Sequence, residues 1–79
     1  MATRVACFSF SDEEKYELAR KNLYDNLYQD YQNNSKIYFY GKYGDEYVLY
    51  IYDECSNLEL ACKYCIASGG DRKSANYGY

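Results

Sequence analysis

The chain has no histidine, four cysteines, twelve Asp or Glu residues and thirteen tyrosines, and these residue types decide which chemistry is open to it. Without an imidazole the commonest general base is missing, and so are the Cys–His and Ser–His pairs that activate a nucleophile. Cys62 and Cys65 stand in a Cys-x-x-Cys spacing, and Cys7 and Cys55 bring the thiols to the four that a structural zinc takes. The pair falls inside an apolar helical stripe instead of a tight turn, however, and thiols in such a setting act as small buried hydrophobes. Redox use would need a thiolate held at a helix N-terminus, and this pair lies toward the C-terminal end. The carboxylate pairs Glu13/Glu14, Asp45/Glu46 and Asp53/Glu54 fall where helix starts and loop tips gather acids anyway. No phosphate-binding loop or dinucleotide fingerprint occurs. The expectation is a chain that is not an enzyme and needs neither cofactor nor metal, with Cys7, Cys55, Cys62 and Cys65 the only candidate ligands.

Tyrosine is the residue type left to explain. Ile37 and Phe39 alternate with Tyr38 and Tyr40. Past the Gly41–Glu46 connection, Leu49 and Ile51 alternate with Tyr50 and Tyr52. Side chains along a strand point to opposite faces in turn. Residues 36–53 therefore predict a hairpin with an aliphatic and aromatic face (Ile37, Phe39, Leu49, Ile51) and a phenolic one (Tyr38, Tyr40, Tyr50, Tyr52). A Tyr ring joins an apolar body to a polar tip and suits half-buried contacts. Asp45/Glu46 and Asp53/Glu54 bracket the second strand about 25 Å apart, and Glu59 follows. The candidate protein-binding residues are Tyr38, Tyr40, Tyr50 and Tyr52 as desolvated anchors, with Asp45, Glu46, Asp53, Glu54 and Glu59 supplying charge.

Other elements must hold that hairpin. Thr3–Phe10 is rich in β-branched and aromatic residues and reads as a strand. Ser11-Asp12-Glu13-Glu14 forms a capping box, opening a helix to about Gln32 in which Tyr16, Ala19, Leu23 and Leu27 make one stripe, widened by Tyr24, Tyr28 and Tyr31. Leu18 lies off that stripe. A second capping box, Ser56-Asn57-Leu58-Glu59, opens a helix whose buried side is Leu58, Ala61, Cys62 and Cys65. Ser68-Gly69-Gly70 ends it. The tail Asp71–Tyr79 is either frayed or a short edge strand around Ala75–Tyr79. The expected fold is α+β: one domain over residues 1–79, a small β-α-β-β-α(-β) sandwich with two helices on one face of an antiparallel sheet. If the tail pairs, the topology is ferredoxin-like. The phenolic face looks away from the helices.

Val, Ile, Leu and Phe total only 14 residues, a composition that by itself suggests disorder. Tyrosine reverses that reading, because each ring can bury about 150–250 Å². Net charge is −3, with five acids and no base from Asp45 to Glu59. A nucleic-acid binder draws most of its affinity from phosphate neutralisation, and the basic stripe for that is missing. Acidic membrane surfaces are disfavoured for the same reason. No apolar run has the length of a membrane span, and no secretory h-region occurs. The expected compartment is cytoplasmic, or the host cytoplasm for a phage-encoded chain, with reduced thiols.

In its short length, its Asp45–Glu59 acid run and its Tyr38/Tyr40/Tyr50/Tyr52 face the chain resembles, as a class, the small acidic inhibitors that phages make against host defence, anti-CRISPR proteins among them. That class shares no sequence motif. The resemblance implies a stoichiometric inhibitor that fills the basic nucleic-acid groove of a host effector complex. Three other readings use the same tyrosines: a face covered by a tail, a dimer partner or the stacking of its own rings, since large apolar patches are usually occupied; an aromatic platform for single-stranded nucleic acid, which the acidic flanks oppose; and a self-associating module or homodimer.

Overall fold

The computed structural model describes residues 2–78; Met1 and Tyr79, which belong to the expected N-terminus and the expected tail strand, lie outside the described residues. In chain order come β1 (Arg4–Phe10), α1 (Glu13–Asn26), α2 (Tyr28–Tyr31), β2 (Ile37–Tyr43), β3 (Glu46–Tyr52), α3 (Leu58–Ala67) and β4 (Asp71–Lys73). The strands form an antiparallel sheet in the order β2-β3-β1-β4. With helices after β1 and β3, this is the α+β, split-βαβ arrangement expected of a paired tail. The pairing starts earlier than residues 75–79, at Cys7↔Lys73, Phe8↔Arg72 and Ser9↔Asp71.

Alternation along the strands separates two apolar layers. Ala6, Phe8 and Phe10 of β1, Ile37 of β2, and Leu49 and Ile51 of β3 meet Tyr16, Ala19 and Leu23 of α1 and Ala61, Cys62 and Cys65 of α3 in one core. Phe10 and Tyr16 pack edge to face at 5.7 Å. Full burial of each Leu, Ile or Phe here contributes about 1.5–3 kcal/mol. On the other side of the sheet Cys7, Val48 and Tyr50 form a second, smaller cluster.

Both helix caps fall one residue after the predicted ones. Asp12, not Ser11, caps α1, its carboxylate accepting from the Lys15 N–H at 2.9 Å. Asn57, not Ser56, caps α3 by accepting from the Leu60 N–H at 3.1 Å. Ser56 is otherwise engaged. Its N–H and hydroxyl both donate to Asp30, at 3.1 and 2.5 Å, and Lys36 Nζ lies 3.8 Å from the same carboxylate. Asp30 is buried, and it ties α2 to the start of α3.

The long helix expected to Gln32 breaks at Leu27, whose φ of −135° and ψ of 53° leave the helical region. Just before the break, the Asn26 side-chain amide donates to the Asn22 carbonyl at 2.8 Å, competing for the acceptor that the helical ladder uses. Part of the predicted stripe faces outward on either side of the break. Tyr24 and Tyr28 are exposed and pack on each other at 4.9 Å, so only Tyr31 widens the core side, against Phe39 at 5.2 Å. Leu18 is exposed, in keeping with its place off the stripe.

Candidate functional site

The hairpin register sets the phenolic face. Tyr38↔Tyr50 and Phe39↔Leu49 are paired, which puts Ile37, Phe39, Leu49 and Ile51 toward the helices and Tyr38, Tyr50 and Tyr52 away from them. At Tyr40–Gly41 a bulge sets Gly41 opposite Val48, and pairing resumes with Lys42↔Tyr47 and Tyr43↔Glu46. Gly41 sits at φ +99°, a conformation that a side chain disfavours. The extra residue changes the face. Strict alternation would set Lys42 beside Tyr40; the bulge brings Tyr43 there instead. Ring centroids run Tyr38–Tyr40 at 6.4 Å, Tyr40–Tyr43 at 6.2 Å and Tyr43–Tyr77 at 5.9 Å, all edge to face.

Tyr77 comes from the tail, and it changes the site most. After β4 the chain turns at Ser74–Tyr77, where the Tyr77 N–H donates to the Ser74 carbonyl at 3.0 Å, and it crosses the phenolic face. The Tyr50 hydroxyl donates to the Tyr77 carbonyl at 2.5 Å, and the Tyr77 hydroxyl donates to the Glu46 carboxylate. Lys73 Nζ stands 5.4 Å from the Tyr77 ring. At Gly78, φ is +88° and a Cβ would collide with the Tyr50 hydroxyl, so the tail passes that point only as glycine. From the N-terminal side the Arg4 guanidinium lies 4.0 Å above the Tyr50 ring and donates to the Tyr52 hydroxyl at 3.3 Å.

Tyr50 is consequently 0 % exposed. The phenolic side does point away from the helices, but its centre is sealed by the chain's own tail and by Arg4. Tyr50 is a structural residue here, not an anchor that a partner reaches. Tyr38 and Tyr52 are half-buried at the rim, while Tyr40 and Tyr43 are exposed at 40 % and 41 %.

The five candidate acids do not form one set. Asp45 and Glu54 are exposed in the turns at opposite ends of β3, separated by the length of that strand. Glu46 is engaged by Tyr77. Asp53 accepts from the Thr3 N–H at 2.9 Å and closes the end of the β1–β3 pair. Glu59 stands on α3, in the helix layer across the sheet from the phenols.

The thiols are divided by the sheet. Cys7 belongs to the phenol-side cluster, whereas Cys55, Cys62 and Cys65 lie in the helix-side core, so the four cannot ligate one ion. No group of three or more Cys, Asp or Glu placed to hold a metal occurs among the described residues. Burial pushes the Cys7 thiol up to about 11, and burial also raises Cys55, Cys62 and Cys65. Thiols so shifted are weak nucleophiles at neutral pH. The hydrogen bond to Glu46, followed by loss of solvation, raises the Tyr77 phenol to about 12. Desolvation does the same for Tyr16, to about 12, in the helix-side core.

Sequence reasoning missed Tyr43, Tyr77 and Arg4. Gly41, expected to open the hairpin connection, is the signal for the first: β2 runs on through it to Tyr43, and a glycine inside a strand marks a bulge. Nothing in the sequence pattern signals the other two, which reach the face through tertiary packing.

No helix of the described residues is long and apolar enough to cross a membrane. Comparison with known proteins returns no matching family model, no matching curated protein and no matching solved structure.

Proposed function

We propose that the chain is a non-enzymatic inhibitor that binds a protein partner through the rim of its phenolic face, filling a basic nucleic-acid groove on that partner. This is the behaviour that the resemblance to small acidic anti-defence inhibitors implies, anti-CRISPR proteins among them, and the cytoplasm is where such a partner would be met. One observation carries the reading. Tyr40 and Tyr43 are solvent-exposed rings braced by neighbouring phenols on a sheet, with the exposed carboxylates of Asp45 and Glu54 beyond either end of β3. Braced aromatic rings lose little side-chain freedom on docking, and Tyr is enriched among interface hot spots. Carboxylates at fixed separation complement a Lys/Arg-lined groove and speed encounter with it.

Single-stranded nucleic acid fits less well. An aromatic platform stacks bases on rings in the middle of an open sheet face. Here the middle ring, Tyr50, is covered, and Asp45 and Glu54 would repel a phosphate backbone.

The test is capture from native lysate on the immobilised chain, followed by elution with a duplex oligonucleotide. The expected result is a nucleic-acid-binding protein that the oligonucleotide displaces, with capture lost in an Asp45→Lys/Glu54→Lys double variant. Capture that is indifferent to both treatments overturns the reading.

A further inference from the structure

Across the sheet from the phenols, α3 and β4 enclose an open groove of about 770 Å³, which the proposed function leaves unused. Along α3 its floor is the row Leu58, Cys62, Ile66, at i, i+4 and i+8. Ile66 is 56 % exposed, above every other large apolar side chain of the described residues. Its far side is β4, an edge strand paired with β1 alone. The short Ser68–Gly70 turn, closed by the Gly70 N–H donating to the Cys65 carbonyl at 2.9 Å, sends β4 back beside the helix. Arg72, paired with Phe8, carries its guanidinium 5.9 Å from the Phe8 ring. It therefore belongs to the helix side of the sheet and lines the groove with Lys63 and Glu59.

We propose that this groove takes an extended peptide segment of a partner protein, added as a further strand on the outer edge of β4, with alternate apolar side chains and one carboxylate turned toward α3. Three observations meet in it. The outer edge of β4 leaves N–H and C=O groups facing no strand among the described residues, which is the template for strand addition. The helical row repeats about every 6 Å, four residues at 1.5 Å rise, and alternate side chains of a strand repeat about every 6.8 Å. Successive side chains of an added strand thus settle between Leu58, Cys62 and Ile66. Finally, two cations face one acid at the groove, in a chain of net charge −3, which selects a peptide carrying a carboxylate on its apolar face. The opposite edge strand, β2, offers no such slot, because α2 packs Tyr31 against its Phe39.

Phage-displayed random octapeptides selected on the folded chain test the inference, with the enriched peptide then titrated in 1H–15N spectra. The expected consensus has two apolar residues two positions apart and an Asp or Glu two positions beyond. Shifts should gather at Asp71–Lys73 and along α3, with slowed amide exchange in β4. Arg72→Glu should weaken binding about tenfold or more, and Ile66→Ser should weaken it as well; both residues are exposed, so the fold withstands either change. Failure to enrich peptides, shifts on the phenolic face, or affinity unchanged in Arg72→Glu overturns the proposal. So does saturation of the groove by decanoate without protection of the β4 amides, which points to small amphipathic acids. Shifts at Asp71–Lys73 that grow with protein concentration alone also overturn it, in favour of a second copy of the chain.

Discussion

Tyr50 and Tyr40 lie on the same face, and their truncations should behave in opposite ways. Tyr50 is 0 % exposed, stacked beside Tyr38 at 6.5 Å, covered by the Arg4 guanidinium at 4.0 Å and hydrogen-bonded to the tail at 2.5 Å. Removing a buried aromatic ring costs about 3–5 kcal/mol. A chain of 79 residues has a total stability of about 4–12 kcal/mol at typical values per residue. Tyr50→Ala therefore removes a quarter or more of the stability and lowers the Tm by upwards of about 12 °C, at about 4–8 °C per kcal/mol for this size. Tyr50→Phe keeps the ring and loses the bond to the Tyr77 carbonyl, for about 1 kcal/mol. Tyr40→Ala gives up edge-to-face contacts of about 0.5–1.5 kcal/mol at a position already 40 % exposed, so its cost stays near 1 kcal/mol or below. Urea titrations of the three variants, followed by far-UV circular dichroism, measure the differences. If Tyr50→Ala and Tyr40→Ala fall within about half a kcal/mol of each other, the sealed centre and exposed rim are not distinct, and the reasoning fails.

Other consequences are as specific. Because the Tyr77 phenol is held up at about 12 by Glu46, the tail contact is complete below pH 10, the ordinary phenol value, and is lost as the pH rises through 12; near-UV circular dichroism of the tyrosines that already changes near pH 9 would contradict this. Asp30→Ala removes a buried acceptor with two Ser56 hydrogen bonds, at about 1.5–3 kcal/mol for each bond to a charged group less what rehydration of the exposed Ser56 returns; a loss of about 2–4 kcal/mol is expected in urea, and under 1 kcal/mol would refute the tie between α2 and α3. The buried, upshifted thiols should react with an aromatic disulfide reagent at neutral pH at least about tenfold more slowly in the folded chain than in denaturant, and a fast-reacting thiol would contradict their burial.

Much of the fold is legible in the sequence because local periodicity decides it. Period-two alternation gives both faces of the β2–β3 hairpin, and the Ala61/Cys62/Cys65 stripe gives the buried side of α3. Errors arise where two local signals compete. Ser11 and Asp12 are both good caps, as are Ser56 and Asn57, and tertiary structure decides the second case: Asp30, 26 residues earlier, engages Ser56 and leaves Asn57 to cap. The helix break at Leu27 has no glycine or proline to announce it. For the candidate site, which side the phenols face follows from alternation, but which of them meet solvent does not. That depends on where the tail lies, and its contacts, Tyr77 with Tyr50 and Glu46, join residues 27 and 31 positions apart.

The most direct measurement is calorimetric titration of a partner purified by the oligonucleotide-displaced capture, against the native chain and a Tyr40→Ala/Tyr43→Ala variant of matched fold. Two exposed anchors at about 2 kcal/mol each predict affinity lower by up to about a thousandfold, while the loss of stability stays at about 2 kcal/mol or below, no more than about 8–16 °C in Tm, so that the variant is still folded in the titration. Equal affinity in native and variant chains would contradict the rim of the phenolic face as the docking surface.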